Sequence, residues 1–449
     1  MTETTLGNGG KFQVSRIVSI FKRIAYSREP VMVALRYSLV LTAVLMGIRN
    51  IRVWMLSLSF PYIFGKDFIQ DFLISKAVWS GVNPYLPTKI LADLFMGPLP
   101  VRWNFLHPSP HPPPLALFFL PLGLLSYQHA AILWLLFELV CLSISLVLLL
   151  RSLVVEKKVI LASTSGLLIL LWLPINAELV NGQWTALLLL LLVRAWQALR
   201  SRKDIQGGIL LGGAIAVKLV PWPIVLFLML RRNWQAACAA VMTIIVANVA
   251  ASILIGFDRI TQYYLKVGKS VLQTYHASIG NFSLWTIGWR MFNGTSLQDW
   301  GGANVPPLFA EPALAPFFSI AIPLTLLIFG FIFAFRARNI DTSFGILICV
   351  MILVSPIAWS YYLILALFPI AIAVRGLSFL NWPRKETNIA IFIGITFSFS
   401  ARGLMPLLLG NRIPEGLVAM LSFTAALLSL LPAVGLLALV WIVWRIPGQ

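Results

Sequence analysis

Apolar residues run in blocks along this chain, and the polar stretches between the blocks are of two kinds. Residues 31–51, 129–150, 159–176, 185–198, 236–255, 313–335, 389–409 and 416–442 are predominantly apolar. Most of these approach the roughly 20 residues that a helix needs to cross a bilayer core. Other blocks are shorter. Residues 115–125 stop at about a dozen and predict a juxtamembrane or re-entrant helix. Residues 207–230 are broken at Lys218-Leu-Val-Pro221-Trp-Pro223 and bounded by basic residues at both ends. That pattern predicts two half-helices forming a hairpin, because proline cannot continue a helical hydrogen-bond ladder. Residues 343–354 and 362–374 form a pair around Ser355-Pro356-Ile-Ala-Trp359.

The first kind of polar stretch is short and basic. Arg151, Lys157 and Lys158 form one such tract, followed by Arg200, Arg202 and Lys203, then Arg231 and Arg232, then Arg336 and Arg338. Lys11, Arg16, Lys22, Arg23 and Arg28 precede the first block, and Arg445 follows the last. Lys and Arg accumulate on the cytoplasmic side, so these tracts predict both termini inside. The second kind is long and rich in proline and acids. Residues 59–114 and 256–312 are of this kind and are expected outside. The expected fold is an all-α polytopic membrane protein of about twelve helices. A cytoplasmic tail, residues 1–30, leads into one transmembrane domain, residues 31–445.

Composition strengthens this picture. Apolar residues make up 59% of the 449 and charged residues 11%, and the mean hydropathy is +0.89. Soluble domains carry about 25% charged residues. A soluble enzyme, a disordered chain and a nucleic-acid-binding domain are excluded. The net charge of +19 is an orientation signal and an attraction to anionic headgroups, so membrane lipids are expected partners and nucleic acid is not. Cys141, Cys238 and Cys349 have neither disulfide nor metal spacing. No cofactor and no metal site are expected. The tail lacks a cleavable signal pattern, which points to an uncleaved first anchor and a bacterial plasma (inner) membrane.

Scarce charges mark where chemistry can sit. Asp67 and Asp71 stand one helical turn apart in an amphipathic segment with Phe68, Ile69, Phe72, Leu73 and Trp79 on the other face. An interfacial helix with two carboxylates on its polar face is expected, and such a pair suits a general base. Lys218 lies deep in an apolar block beside a helix break, an expensive place for a cation. Arg290, Arg402, Lys266 and Lys269 are further cations expected in the outer half, where they suit an anionic phosphate. Glu138 falls inside a predicted span and is a candidate on that ground. His107 and His111 are four apart, but the prolines around them forbid the helix that would present a metal pair. A rigid extended turn is expected there.

Several landmarks together resemble glycosyltransferase family 87. They are Asp67-Phe68 followed by Gly81-Val-Asn83-Pro84-Tyr85, the Pro-rich stretch 107–114, Asn181-Gly182-Gln183, the segment from Gly207 to Lys218-Leu-Val-Pro221, Asn281-Phe-Ser283-Leu, and Ser355-Pro356-Ile-Ala-Trp359. The resemblance implies a GT-C architecture and transfer of a sugar, mannose in the best-known members, from a polyprenyl-phosphate donor to a lipid or glycan acceptor. It implies an active site on the extracytoplasmic side, with Asp67 as general base of an inverting reaction and Asp71 as second choice. Lys218, Arg290, Arg402, Asn281, Gln183, Tyr85, His107, Tyr361 and Tyr362 are the expected substrate-binding residues. Tyr361 and Tyr362 stand where many relatives have a His pair. A Tyr hydroxyl can donate a hydrogen bond but carries no positive charge near neutral pH. The alternative reading is a transporter or flippase of lipid-linked sugars, suited to the half-helix hairpin and to Glu138.

Overall fold

The computed structural model describes residues 30–98, 107–153, 158–276, 278–295, 305–337, 339–379, 393–394, 396–397, 424 and 426–445. The expected tail before residue 30, Arg402 and most of the expected span 389–409 lie outside the described residues. The described residues are mainly helical, and an isolated bridge pairs Thr295 with Val305.

Among the described residues, five helices are long and apolar enough to cross a membrane: Val40–Ser57, Tyr127–Ser152, Trp234–Ile255, Leu314–Arg336 and Ala426–Arg445. A sixth span results if Leu173–Asn181 and Thr185–Arg200, which meet at 117°, count as one. About twelve were expected. Other expected blocks form shorter apolar helices, such as Ile340–Leu353 and Asp204–Val217, and most of 389–409 lies outside the described residues. Ile340–Leu353 is buried from Thr342 to Leu353. An apolar block reads the same whether lipid or protein covers it. Lipid-facing helices differ in structure: Ile253 and Phe317 point outward at 83% and 63% exposure.

Breaks in the helices have local causes. Pro174 has no N–H to offer the carbonyl of Leu170. Asn50 Nδ2 fills that vacancy from the first helix, at 2.7 Å, and Trp54 Nε1 donates to Asn176 Oδ1 at 2.7 Å. The chain then stays helical from Leu173 to Asn181, into the gap between the apolar blocks 159–176 and 185–198. The hairpin around Lys218 forms as expected, from Asp204–Val217 and Trp222–Leu230. Its open end is held by Asn233 Nδ2 donating to Asp204 Oδ1 at 3.0 Å. Gly208 and Gly212 let this hairpin touch the Trp234–Ile255 helix backbone to backbone. A Cβ at Gly208 would lie 2.1 Å from the Ala236 carbonyl oxygen, and one at Gly212 2.5 Å from that of Ala240.

The Phe68–Trp79 helix corrects the expectation of an amphipathic interfacial helix. Phe68 to Ser75 are all buried, Gln70 and Asp71 included. The Pro-rich stretch and the Leu115–Leu124 segment roof it, and Ser75 Oγ donates to the Phe119 carbonyl at 3.0 Å. Ile74 and Val78 share the side of Gln70 and Asp71, so the helix has no polar face, and protein covers it all round from Phe68 to Ser75.

Candidate active site

The site is built from a turn that only glycine can make. Gly182 has φ +69°, and a Cβ there would lie 2.8 Å from Cβ of Phe68. Phe68 is itself fixed by stacking on Trp134, with centroids 5.7 Å apart. The tight turn carries Gln183 onto Asp67, and Gln183 Nε2 donates to Asp67 Oδ2 at 2.6 Å. The other end of the same amide, Oε1, accepts from Lys218 Nζ at 3.3 Å. One neutral side chain thus links an acid to a cation, using both functions of its amide.

Lys218 reaches this position because the hairpin breaks there. Its backbone is extended at φ −153°, ψ 123°. Its ammonium lies 4.4 Å from the ring centroid of Tyr362 and 5.3 Å from that of Tyr361, and the two rings stack at 5.4 Å. The ring faces attract the cation and hold it at the wall. On the other side of the acid, Lys66 is buried. It donates to Leu179 O at 2.9 Å, Val180 O at 2.8 Å and Ser57 Oγ at 3.2 Å. Burial pulls its ammonium down to about 8, against the opposing attraction of Glu138 and Asp67.

These groups surround a cavity of about 680 Å³, lined by Asp67, Gln183, Lys218, Tyr361 and Tyr362 among others. Tyr263, Tyr264, Tyr275 and Trp359 give it an aromatic wall, and His111 and Lys269 also reach it. That volume lies within the range of sites for small organic ligands.

Other residues expected at the site stand behind its walls. Asp71 is fully buried, with Oδ1 at 2.5 Å from His111 Nδ1 and Oδ2 accepting from Trp184 Nε1 at 3.0 Å. Arg290 is buried and donates to Asn281 O at 2.7 Å, Ser278 O at 3.0 Å and Ser429 Oγ at 2.8 Å. Burial pulls its guanidinium down to about 10. Asn281 Oδ1 accepts from the N–H of Ala358 at 2.8 Å, and its Nδ2 donates to Pro356 O at 3.1 Å. Asn281 and Arg290 therefore stitch two loops together, and Pro356 and Trp359 of one loop face the cavity. Tyr85 donates to the His111 carbonyl at 3.1 Å, and burial pushes its phenol up. His107 lies 2.5 Å from the Tyr275 hydroxyl through Nε2, and burial pushes its imidazole down. Glu138 is buried, with no hydrogen bond to either oxygen among the described residues.

Sequence reasoning assigned nothing to Lys66 and placed His111 in a rigid extended turn. Their signal was proximity in sequence to Asp67 and to the proline run, and neither separates a site residue from a scaffold residue. Among the described residues, no group of three or more His, Cys, Asp or Glu side chains could hold a metal ion.

The sequence model of glycosyltransferase family 87 matches residues 110–356. No curated protein and no solved structure matches the chain. The matched segment includes His111, Gln183, Lys218 and the Ser355-Pro356 pair, and Asp67 precedes it. It covers more than half of the sequence and most of the cavity wall, so this apolar helical protein belongs to glycosyltransferase family 87 and is a membrane glycosyltransferase.

Proposed function

We propose that the protein moves a sugar, mannose first among candidates, from a polyprenyl-phosphate carrier to a hydroxyl of a lipid or glycan acceptor. The observation that carries this reading is the Asp67–Gln183–Lys218 chain inside one cavity. The acceptor oxygen attacks the anomeric carbon from the face opposite the phosphate. The new C–O bond forms as the bond to the phosphate oxygen breaks, and its electron pair leaves with the polyprenyl phosphate. The acceptor's proton passes to Asp67, and the anomeric centre inverts. Lys218 meets the growing charge on the leaving phosphate. Gln183 links the acid and the cation through the two ends of its amide. Lys66 and Asp67 attract each other electrostatically.

The aromatic cavity wall supports a lipid-linked donor over a hydrated nucleotide sugar. Basic tracts at the far helix ends support a site opening to the outer face of a plasma (inner) membrane. Arg290 is committed to backbone carbonyls, which leaves the phosphate to the cations that line the cavity, Lys218 with Lys269.

Purified protein in lipid vesicles, given radiolabelled polyprenyl-phosphate mannose and a membrane lipid extract, tests the reading. Label is expected in a new product with wild type. Asp67→Asn is expected to reduce transfer by about 10³-fold with donor binding retained. Full transfer by that variant would remove Asp67 from the base role. Movement of intact donor across the vesicle wall without a new glycosidic bond would favour a flippase instead.

A further inference from the structure

We propose that His111 is a second substrate-contacting residue of the cavity, whose Nε2 accepts a hydrogen bond from a sugar hydroxyl, and that Asp71 positions it for this. The inference rests on the transferase reading above.

For a neutral imidazole beside an ionised carboxylate, the geometry sets the tautomer. Asp71 is fully buried, and its two oxygens face two ring nitrogens: His111 Nδ1 at 2.5 Å and Trp184 Nε1 at 3.0 Å. The indole N–H can only donate, and an ionised carboxylate can only accept. The hydrogen between Asp71 and His111 therefore belongs to Nδ1. In the neutral imidazole this leaves Nε2 with a lone pair. His111 lines the same cavity as Asp67, and its Nε2 has no hydrogen-bond partner among the described residues. The ring cannot turn away. Its Nδ1 is held by Asp71, its backbone carbonyl accepts from the Tyr85 hydroxyl, and the Trp184 ring lies against it at 6.4 Å between centroids.

The chemistry at Nε2 selects the ligand. A lone pair repels phosphate oxygens and receives hydroxyl hydrogens. Lys218 connects to Asp67 through Gln183, and His111 connects through Asp71, one turn into the helix that starts after Asp67. The cavity thus sets an ammonium for the phosphate and an imidazole lone pair for a hydroxyl around one carboxylate. That hydroxyl belongs either to the donor sugar or to the acceptor.

Three variants separate the possibilities, with polyprenyl-phosphate mannose as donor and octyl mannoside as acceptor. His111→Phe keeps the ring and removes both nitrogens. It is expected to raise KM about tenfold for the substrate that supplies the hydroxyl, with kcat within about threefold. A rise in donor KM assigns the donor sugar, and a rise in acceptor KM assigns the acceptor. His111→Gln, whose amide oxygen can take the place of Nε2, is expected to recover most of the loss. Asp71→Asn presents an N–H to Nδ1 and moves the ring hydrogen to Nε2, so it should raise the same KM as His111→Phe. If Asp71→Asn does not fold, the Phe and Gln pair still decides. Unchanged KM values for both substrates in His111→Phe, or equal damage from Phe and Gln, would overturn the proposal. Absence of product with wild type would instead remove the transferase reading beneath it.

Discussion

The two ends of the helix bundle handle their charges in opposite ways. At the basic end, Asp341 is met directly. Trp196 Nε1 donates to it at 3.0 Å, Arg375 at 3.3 Å, and Arg200 stands 3.7 Å away. At the cavity end, Asp67 and Lys218 meet through the amide of Gln183. A direct ion pair spends both charges on each other and ties three helices together. A bridged pair sets an acid and a cation at the two ends of one amide, beside the cavity. The same residue types make a clamp at one end and, as proposed, a reaction centre at the other.

The contrast can be broken on the cavity side first. Lys218→Met should cost about 10²-fold in kcat and weaken donor binding, while Lys218→Arg should keep part of the rate. Steady-state kinetics with varied donor would show it, and equal rates for Met and wild type would refute the phosphate role. Next comes the bridge itself. Gln183→Leu should cost about tenfold, because Asp67 and Lys218 lose a shared partner without losing their charges. Gln183→Glu should be worse, since a second carboxylate beside Asp67 opposes its ionisation.

A third effect concerns pH. Lys66 carries its proton below about 8 and loses it above. Its folded value lies below the ordinary lysine value of 10.5, so the unfolded chain holds this proton more tightly, and thermal stability in detergent should rise as pH goes from about 8 towards 10. Lys66→Arg, charged across the whole range, should remove that rise when unfolding is followed at a series of pH values. The smallest effect lies at the other end. Asp341→Asn should leave transfer rates within about twofold. It should lower stability by about 1 kcal/mol or less, because its partners are partly exposed. Thermal unfolding in detergent would measure that loss.

How much of this was legible in the sequence follows from what each residue competes with. Lys218 stood out because charge is rare in an apolar block and it sat beside a break, and Asp67 because it was paired with Asp71 one turn on and matched a family landmark. Gln183 was legible only through the family landmark, since a lone amide carries no signal. Arg290 and Asn281 read like ligand contacts because a polar loop residue looks the same whether it faces a substrate or a carbonyl. Their partners lie far off in sequence, at Ser429 and Ala358, and no local pattern reports that. Which apolar helices face lipid was hidden for a related reason. Ile340–Leu353 is surrounded by other helices, and hydropathy does not distinguish a protein neighbour from an acyl chain. The half-helix hairpin was legible because proline acts through the backbone alone.

That hairpin also determines where the enzyme can change. Gly208 and Gly212 seat it on the Ala236 and Ala240 carbonyls with no room for a methyl group. The height of Lys218 is therefore set by main chain against main chain, like a stop on a ruler. Laboratory selection for a new sugar or acceptor will find little freedom along that contact. It will find it across the cavity, where the segments around His111 and Tyr275 present side chains that can be exchanged without moving the cation.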